Sequence, residues 1–504
     1  MPIHSISRLK LISINEMSMK NKILLLLFLP LLFGCNDWLN VIPEEEVDEE
    51  ELFGDGEGYR NALNGVYSRI SGSDMYAQQL TWGFLDVVAQ YYNINKMSQY
   101  GAYPKAYNGD YDNTEVRSVL DKVWRGAYTS IANCNNLLQN IENEDVTKFL
   151  GRQGEKNMIQ GEALALRAFL HFDLLRLFAP VPVKVNATRT GYVPSNDNDE
   201  YIPYCETHPA VFQQRETVNG FLDKVIRDLL KAKTLLATFD TISEVRRSQL
   251  TTNNRLLAKG GNLENELFYC FRGFRVNYYA VTALLARVYN YRGELELAAQ
   301  QAQEVVDSKY FTVQGSTSSP KQYNDVIFAL SNKKLTEYFE AYYTGNNKVL
   351  CLSNTLISKM FGSDSYECRG YYHLLKLDGE NKVSKKYLPI TDERETIPNE
   401  IIPIIRTSEL HYILGEYYAS MNDYTKAVSY ITQVKQANYA YSSPSVGSLG
   451  DYHDAWLNEG FRSFIGEGQL FYLYKKLGIK IYPDMKDEAF VFNIPDSEDI
   501  TLNQ

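Results

Sequence analysis

Two stretches of the chain repeat one arrangement of large, small and aromatic residues, and that repetition constrains the fold more than composition does. In the first, Leu285, Ala286 and Tyr289 lead through Arg292-Gly293-Glu294 to Ala298, Ala302 and Val305. In the second, Leu414, Gly415 and Tyr418 lead through Met421-Asn422-Asp423 to Ala427, Ile431 and Val434. Each has a small residue three before a tyrosine and an alanine nine after it. Each therefore reads as a helix, a tight turn and a second helix, with small residues letting the pair approach and large ones filling the gaps.

The pattern is that of tetratricopeptide repeats, and further helices extend it. Ile159, Ala163, Leu166, Leu170, Leu174 and Leu177 recur at steps of three and four, with apolar flanks on nearly every side up to Pro180. A helix apolar all round is a buried one. Residues 119–141 pair with it less regularly, and a helix over 218–236 packs beside it. A first helix is predicted over 59–70, with Leu63, Val66, Tyr67 and Ile70 on one face, after an acidic run at 44–51 that favours a helix N-terminus. The expected fold class is mainly α: tetratricopeptide-like helix pairs forming a right-handed superhelical scaffold, with long irregular loops and a few short strands such as 326–330. Tyr67, Tyr289, Tyr417 and Tyr418 belong to its packing.

Residues 17–40 say where such a chain is placed. Lys20 and Lys22 precede an apolar run at 23–33, too short for a permanent membrane helix, and Gly34 stands before Cys35. That order resembles a bacterial lipoprotein signal, with the lipid on Cys35. An ordinary secretory signal or a buried helix is the alternative. No second apolar run approaches the ~20 residues of a membrane helix. The expected organisation is a signal peptide at 1–34, a lipid-anchored tether at 35–58, and one domain at 59–504 with parts at about 59–275 and 276–504. The formal charge of −11 grows more negative once the basic segment is removed. An acidic surface argues against nucleic acid as a partner. Beyond Cys35, Cys134, Cys205, Cys270, Cys351 and Cys368 show no C-x-x-C spacing and are odd in number. They read as buried thiols, with a Cys351–Cys368 bridge as the alternative.

Catalytic signals are absent. His171, His208, His373, His411 and His453 form no H-E-x-x-H or close pair, and neither G-x-S-x-G nor a Walker loop occurs. Glu409 and Glu467 read as structural acids, each meeting a partner such as Arg406 or Arg462. Asn196-Asp197-Asn198-Asp199 lacks the glycine and distal glutamate of an EF-hand loop, so it reads as a solvated loop, with calcium the alternative. No cofactor and no enzyme are expected.

Tyrosine is the outlier, 38 residues against 23 Phe and 4 Trp, and its flat ring with a hydroxyl suits wet binding surfaces and the faces of sugar rings. Irregular segments at 71–112, 179–214 and 311–405 sit between the helices, and long loops on a rigid frame are where binding concentrates. The candidate ligand-binding rings are Trp82 with Tyr100, Tyr103 and Tyr107, then Tyr338, Tyr342 and Tyr343, and as a third group Tyr371 and Tyr372. Core packing is the alternative for each. Trp82 and Tyr103 are expected to be exposed enough that their removal weakens binding and spares stability.

Four pieces of sequence together resemble one known family. Cys35-Asn36-Asp37-Trp38-Leu39 leads to the acidic run; Glu162-Ala163-Leu164-Ala165-Leu166-Arg167-Ala168-Phe169 leads to Phe172-Asp173-Leu174-Leu175-Arg176-Leu177-Phe178 and Val181-Pro182-Val183. Pro403-Ile404-Ile405-Arg406-Thr407-Ser408-Glu409 precedes Glu416-Tyr417-Tyr418, and Phe464-Ile465-Gly466-Glu467-Gly468-Gln469 precedes Tyr474-Lys475-Lys476-Leu477-Gly478 and Ile494-Pro495-Asp496-Ser497-Glu498. In order and spacing they resemble the SusD/RagB family of outer-membrane nutrient-binding lipoproteins of Bacteroidetes. The resemblance implies a lid on the outer face of the outer membrane, over a SusC-like TonB-dependent transporter, that captures oligosaccharides and breaks no bond. A peptide-capturing importer subunit and a tetratricopeptide-type interaction scaffold are the alternatives.

Overall fold

The structure, a computed structural model, describes residues 49–185, 196–211, 213–256, 266–342, 349–362, 364, 366–377, 381–389 and 399–496. The signal-like segment, Cys35 included, and Tyr343 lie outside them. The chain divides into two compact units, Met1–Leu52 and Phe53–Gln504. Of the first, only the helical turn Glu49–Leu52 is described.

The second unit is framed by α1 (Gly56–Ile70), α2 (Thr114–Ile141), α3 (Arg152–Phe178), α4 (Val218–Asp240), α5 (Tyr278–Arg292), α6 (Leu295–Asp307), α7 (Thr407–Ser420), α8 (Tyr424–Ala437), α9 (Leu449–Ser463) and α10 (Gln469–Leu477). From α2 to α8 each helix packs on the next in chain order, which is the expected stack of helix pairs. α1 starts three residues earlier than predicted because the Asp55 side chain accepts from Gly58 N at 3.0 Å and caps it.

The repeated offsets have a physical basis. Gly293 and Asn422 each lie four residues after the repeat tyrosine, and both adopt left-handed φ values, +82° and +63°. Glycine and asparagine tolerate that conformation best, and it ends one helix so that the next can fold back. Asp423 then caps α8 through Lys426 N at 3.0 Å. Gly415 is required by approach: a Cβ there would stand 2.1 Å from the Tyr452 hydroxyl of α9. Ala298 and Ala427 are both fully buried.

α3 is the axis of the first half, and every residue from Gly161 to Phe178 is buried. Its charged side chains each meet a different neighbour. Glu155 accepts from Arg60 of α1 at 2.6 Å, Glu162 pairs with Arg272 and Arg275, and Arg167 donates to Asp228 of α4 at 2.7 Å. Asp173 pairs with Arg176 and accepts from Tyr76 at 2.6 Å. Buried charges endure only when paired in this way.

Short strands pair two by two: β1 (Glu200–Pro203) with β2 (Arg215–Thr217), β3 (Val326–Ser331) with β6 (Ile401–Arg406), and β4 (Leu374–Lys376) with β5 (Lys382–Ser384), all antiparallel. Single bridges join Tyr92 to Leu352 and Leu352 to Lys382, so Tyr92, Leu352, β5 and β4 form one narrow ladder. The segment 71–112, read as irregular, is a run of turns interrupted by short helices Phe84–Val88, Ile94–Met97 and Ala102–Tyr107.

The C-terminal part is tied to this segment by a knot of charges. Glu467 accepts from Arg406 Nε at 2.7 Å and pairs with Lys386. Its flanking amides, Gly466 N and Gly468 N, donate to the buried Asp86 carboxylate at 2.7 and 3.0 Å. Both glycines have positive φ, and a Cβ at Gly468 would lie 2.2 Å from Leu80 O. Burial opposes ionisation of Glu467, but Arg406 and Lys386 hold its carboxyl below the usual range. Burial pushes Asp86 upward against the pull of the two amides.

Several sequence expectations are corrected here. Arg406 does serve Glu467, but Glu409 pairs with Arg287, and Arg462 turns instead to Glu459 and Asp364. The reading of the cysteines as buried thiols stands: the five described cysteines form no disulfide, Cys351 and Cys368 included, and all but the half-buried Cys205 are buried. Replacing Glu467 by Ala leaves two buried cations without their partner. It should cost about 3–5 kcal/mol, read as a fall in the midpoint of thermal unfolding; an unchanged midpoint would show that the knot is dispensable.

Candidate functional site

The two tyrosine segments that the sequence singled out separately are brought together. A cleft of about 400 Å³ is lined by Gln79, Gln99, Tyr100, Gly101, Ala102, Tyr103, Val119 and Tyr342. The short helix Ala102–Tyr107 supplies Tyr103, the turn before it supplies Tyr100, and Tyr342 follows the helix Leu335–Glu340. The Tyr100 and Tyr342 ring centroids are 5.2 Å apart at 53°, and those of Tyr103 and Tyr342 are 5.8 Å apart at 30°. Tyr342 is thus the central ring of a bent three-ring wall.

Hydrogen bonds fix its polar edge. The Gln78 amide donates to the Tyr103 hydroxyl at 2.9 Å and to the Tyr342 hydroxyl at 2.6 Å. A hydroxyl that accepts keeps its own proton to give. Burial, with Tyr342 beside it, pushes the Tyr103 hydroxyl well above its usual range, so it stays protonated. Among the described residues the lining holds amides, ring faces and hydroxyls, and no charged side chain.

Trp82 is a correction. It is 0 % exposed, its indole Nε1 donates to Ala77 O at 2.6 Å, and its carbonyl accepts from Tyr92 Oη at 2.7 Å. Its ring packs edge-on against Tyr342 at 5.5 Å and Phe339 at 5.1 Å. Core packing holds for it: the ring is buried and props the wall against Tyr342. Tyr103 is also a partial correction: at 4 % exposure it is the floor of the cleft, not an open ring. Tyr107 and Tyr338 are half-buried and do not line the cleft. Tyr371 and Tyr372 lie elsewhere, exposed. Gln78, Gln79, Gln99 and Val119 were missed; the adjacent glutamines in a tyrosine-rich loop are the signal that could have found the amides.

Among the described residues no carboxylate, histidine or lysine lines the cleft. Glu409 and Glu467 are both spent on arginines. His171 stacks on Tyr204 at 3.9 Å, and its ring accepts from Cys205 N at 3.0 Å; His411 meets Thr407 O and His453 meets Glu416. They are satisfied core histidines. Asn196 caps its own turn, its side-chain carbonyl accepting from Asn198 N at 3.2 Å. Among the described residues no helix is long and apolar enough to cross a membrane.

Comparison with known proteins is consistent with this geometry. Residues 37–251 match the SusD-like_3 family, described as starch-binding associating with outer membrane. A SusD superfamily protein from Bacteroides thetaiotaomicron has 21% identity and a TM-score of 0.64, over 88% of this chain and 97% of its own. A SusD-like carbohydrate binding protein from Bacteroides vulgatus has 16% identity and a TM-score of 0.63, over 88% and 96%. A further SusD superfamily protein from Bacteroides vulgatus has 19% identity and a TM-score of 0.64, over 89% and 97%. No curated protein matches the chain. At such identities these structures share the fold.

The placement of Trp82 reverses the expectation for its variant. Trp82→Ala should lose about 3–5 kcal/mol of stability through the cavity it opens, whereas Tyr100→Ala should leave the thermal midpoint within about a degree. Equal midpoints for the two would contradict the assignment of prop and wall.

Proposed function

We propose that this chain, a member of the SusD-like family over residues 37–251 and a carrier of that superfamily's fold, captures neutral saccharides at the cell surface and hands them to a SusC-like TonB-dependent transporter. The observation that carries the reading is the uncharged cleft of Tyr100, Tyr103 and Tyr342. Ring faces receive the C–H faces of a sugar, and the Tyr hydroxyls with the Gln79 and Gln99 amides receive its hydroxyls. Among the described residues a ligand rich in charge would find no counter-ion there. The family description, starch-binding associating with outer membrane, supports the same class of ligand and place.

The protein is a binding protein, with no bond broken and no cofactor needed. It is held by a lipid on Cys35 after loss of residues 1–34, and the acidic tether to residue 58 leads into the domain over 59–504. A helical-repeat frame can also present peptides, so the test includes them.

The experiment is an affinity gel with chain lacking Cys35, run against neutral polysaccharides, acidic polysaccharides and peptides. Retardation by a neutral polysaccharide is expected, weakened about tenfold by Tyr342→Ala, equivalent to about 1.4 kcal/mol, and unchanged by a chelator. Binding to peptides with no polysaccharide retarded would replace glycan capture by peptide capture. For the anchor, Cys35→Ala in the expressed full chain should move the protein from the membrane fraction to the soluble one. Continued sedimentation with membranes in the absence of the transporter would remove the lipid from the account.

A further inference from the structure

A second aromatic surface plays no part in the cleft. Tyr366, Tyr371 and Tyr372 leave 76, 57 and 43 % of their surfaces in water. Their rings run together, 5.9 Å between Tyr366 and Tyr371 and 4.9 Å between Tyr371 and Tyr372. Tyr439 and Tyr441, 44 and 71 % exposed, lie just beyond α8. The two segments are sewn to one another. Cys368 N donates to Asn438 O at 2.9 Å, Ser442 Oγ donates to Asp364 at 2.8 Å, and Lys435 Nζ donates to Asp364 at 3.4 Å.

These five tyrosines are all the aromatic side chains that expose more than two-fifths of their surface among the described residues. Among the described residues the exposed rings are therefore confined to two neighbouring segments, 366–372 and 439–441. Tyr439 is held there at φ +62°, a conformation that Gly or Asn would adopt more easily. Gathered apolar surface of this kind marks a binding site more often than it marks chance.

The face is also joined to the cleft by the narrow ladder. At one end Tyr92 holds Trp82, which props Tyr342. From Tyr92 the bridges pass to Leu352, to Lys382 and to Lys376. Three strand spacings, about 14 Å, separate Tyr92 from Lys376, and Tyr372 stands two residues before the other end of β4. The cleft and the tyrosine face are thus both anchored to one hydrogen-bonded support.

We infer that the Tyr366-Tyr371-Tyr372 face is a second saccharide platform, one that takes a further stretch of the same neutral glycan whose first stretch occupies the cleft. The inference rests on the saccharide reading of the cleft. Its chemistry is the same: ring faces for C–H groups, and phenol hydroxyls for the sugar hydroxyls. Its consequence is avidity, because the second contact becomes intramolecular once the first has formed. Long chains gain from it and short ones do not.

The test uses chain lacking Cys35, its Tyr371→Ala/Tyr372→Ala variant and its Tyr342→Ala variant. The probes are starch, xylan and β-mannan in affinity gels, and a trisaccharide of whichever polysaccharide retards the parent, measured by calorimetry. The double variant should bind the trisaccharide as the parent does and the polysaccharide at least tenfold more weakly, with an unchanged thermal midpoint because both rings are exposed. Undiminished polysaccharide binding by the double variant overturns the second platform and leaves the cleft untouched. An effect of the double variant without any effect of Tyr342→Ala overturns the cleft reading instead, and a parent that no polysaccharide retards overturns both.

Discussion

The contact on which the remainder depends is the one between Asp86 and the Gly466-Glu467-Gly468 turn. Two amides of that turn point at one buried carboxylate, and the glutamate between them points the other way, onto Arg406 and Lys386. One turn therefore clamps the short helix Phe84–Val88, the end of β6 and the segment after β5. The left-handed backbone at both glycines makes this geometry possible, and the contact of Gly468 with Leu80 O leaves no room for a side chain. With Leu80 fixed, Trp82 is driven inward, and the ring that supports Tyr342 has one place to go. The shape of the cleft is thus set from below, by charges that never meet a ligand.

The rest of the charge is used in the same way. The chain is acidic, yet the carboxylates of α3, α7, α9 and the Glu467 turn are matched to arginines and lysines inside the helical frame. Pairing of this kind adds little net stability over an apolar core but penalises any alternative packing in which a partner is missing. In a stack of similar helix pairs, where one pair could slide on the next, that penalty fixes register. Lys475 works likewise: fully buried, it donates to Arg176 O and Ala179 O at 2.6 Å and so satisfies the carbonyl end of α3.

The helices were legible because their signals are local. Spacing in α3, α5 and α7 comes from side chains three and four apart, and the Gly293 and Asn422 turns announce themselves by residue type. The cleft was legible only in halves. Tyr100 and Tyr103 lie more than two hundred residues from Tyr342, and nothing at either place says that they meet. Trp82 misled because a tryptophan in a glycine-flanked loop looks exposed until the distant Gly468 is seen pressing on its neighbours. Gln78 could be suspected from its place beside Gln79 in a tyrosine-rich loop, but its partners could not, since the two hydroxyls approach from different segments. Pairings of buried charges were legible in kind and not in partner: Glu409 takes Arg287 because α5 packs alongside α7, which charge counting cannot foretell.

The Gln78 amide bears on how the proposed site would bind a neutral ligand. A sugar offers hydroxyls that water already satisfies, so a wall that must first order itself would gain little. Here the ordering is complete before a ligand arrives. One side-chain NH2 holds two phenol oxygens, Trp82 holds the middle ring from behind, and burial keeps the Tyr103 hydroxyl protonated. What the cleft presents is a fixed set of ring faces and amides, and with no charge among its described lining residues shape and hydrogen-bond direction are left to select.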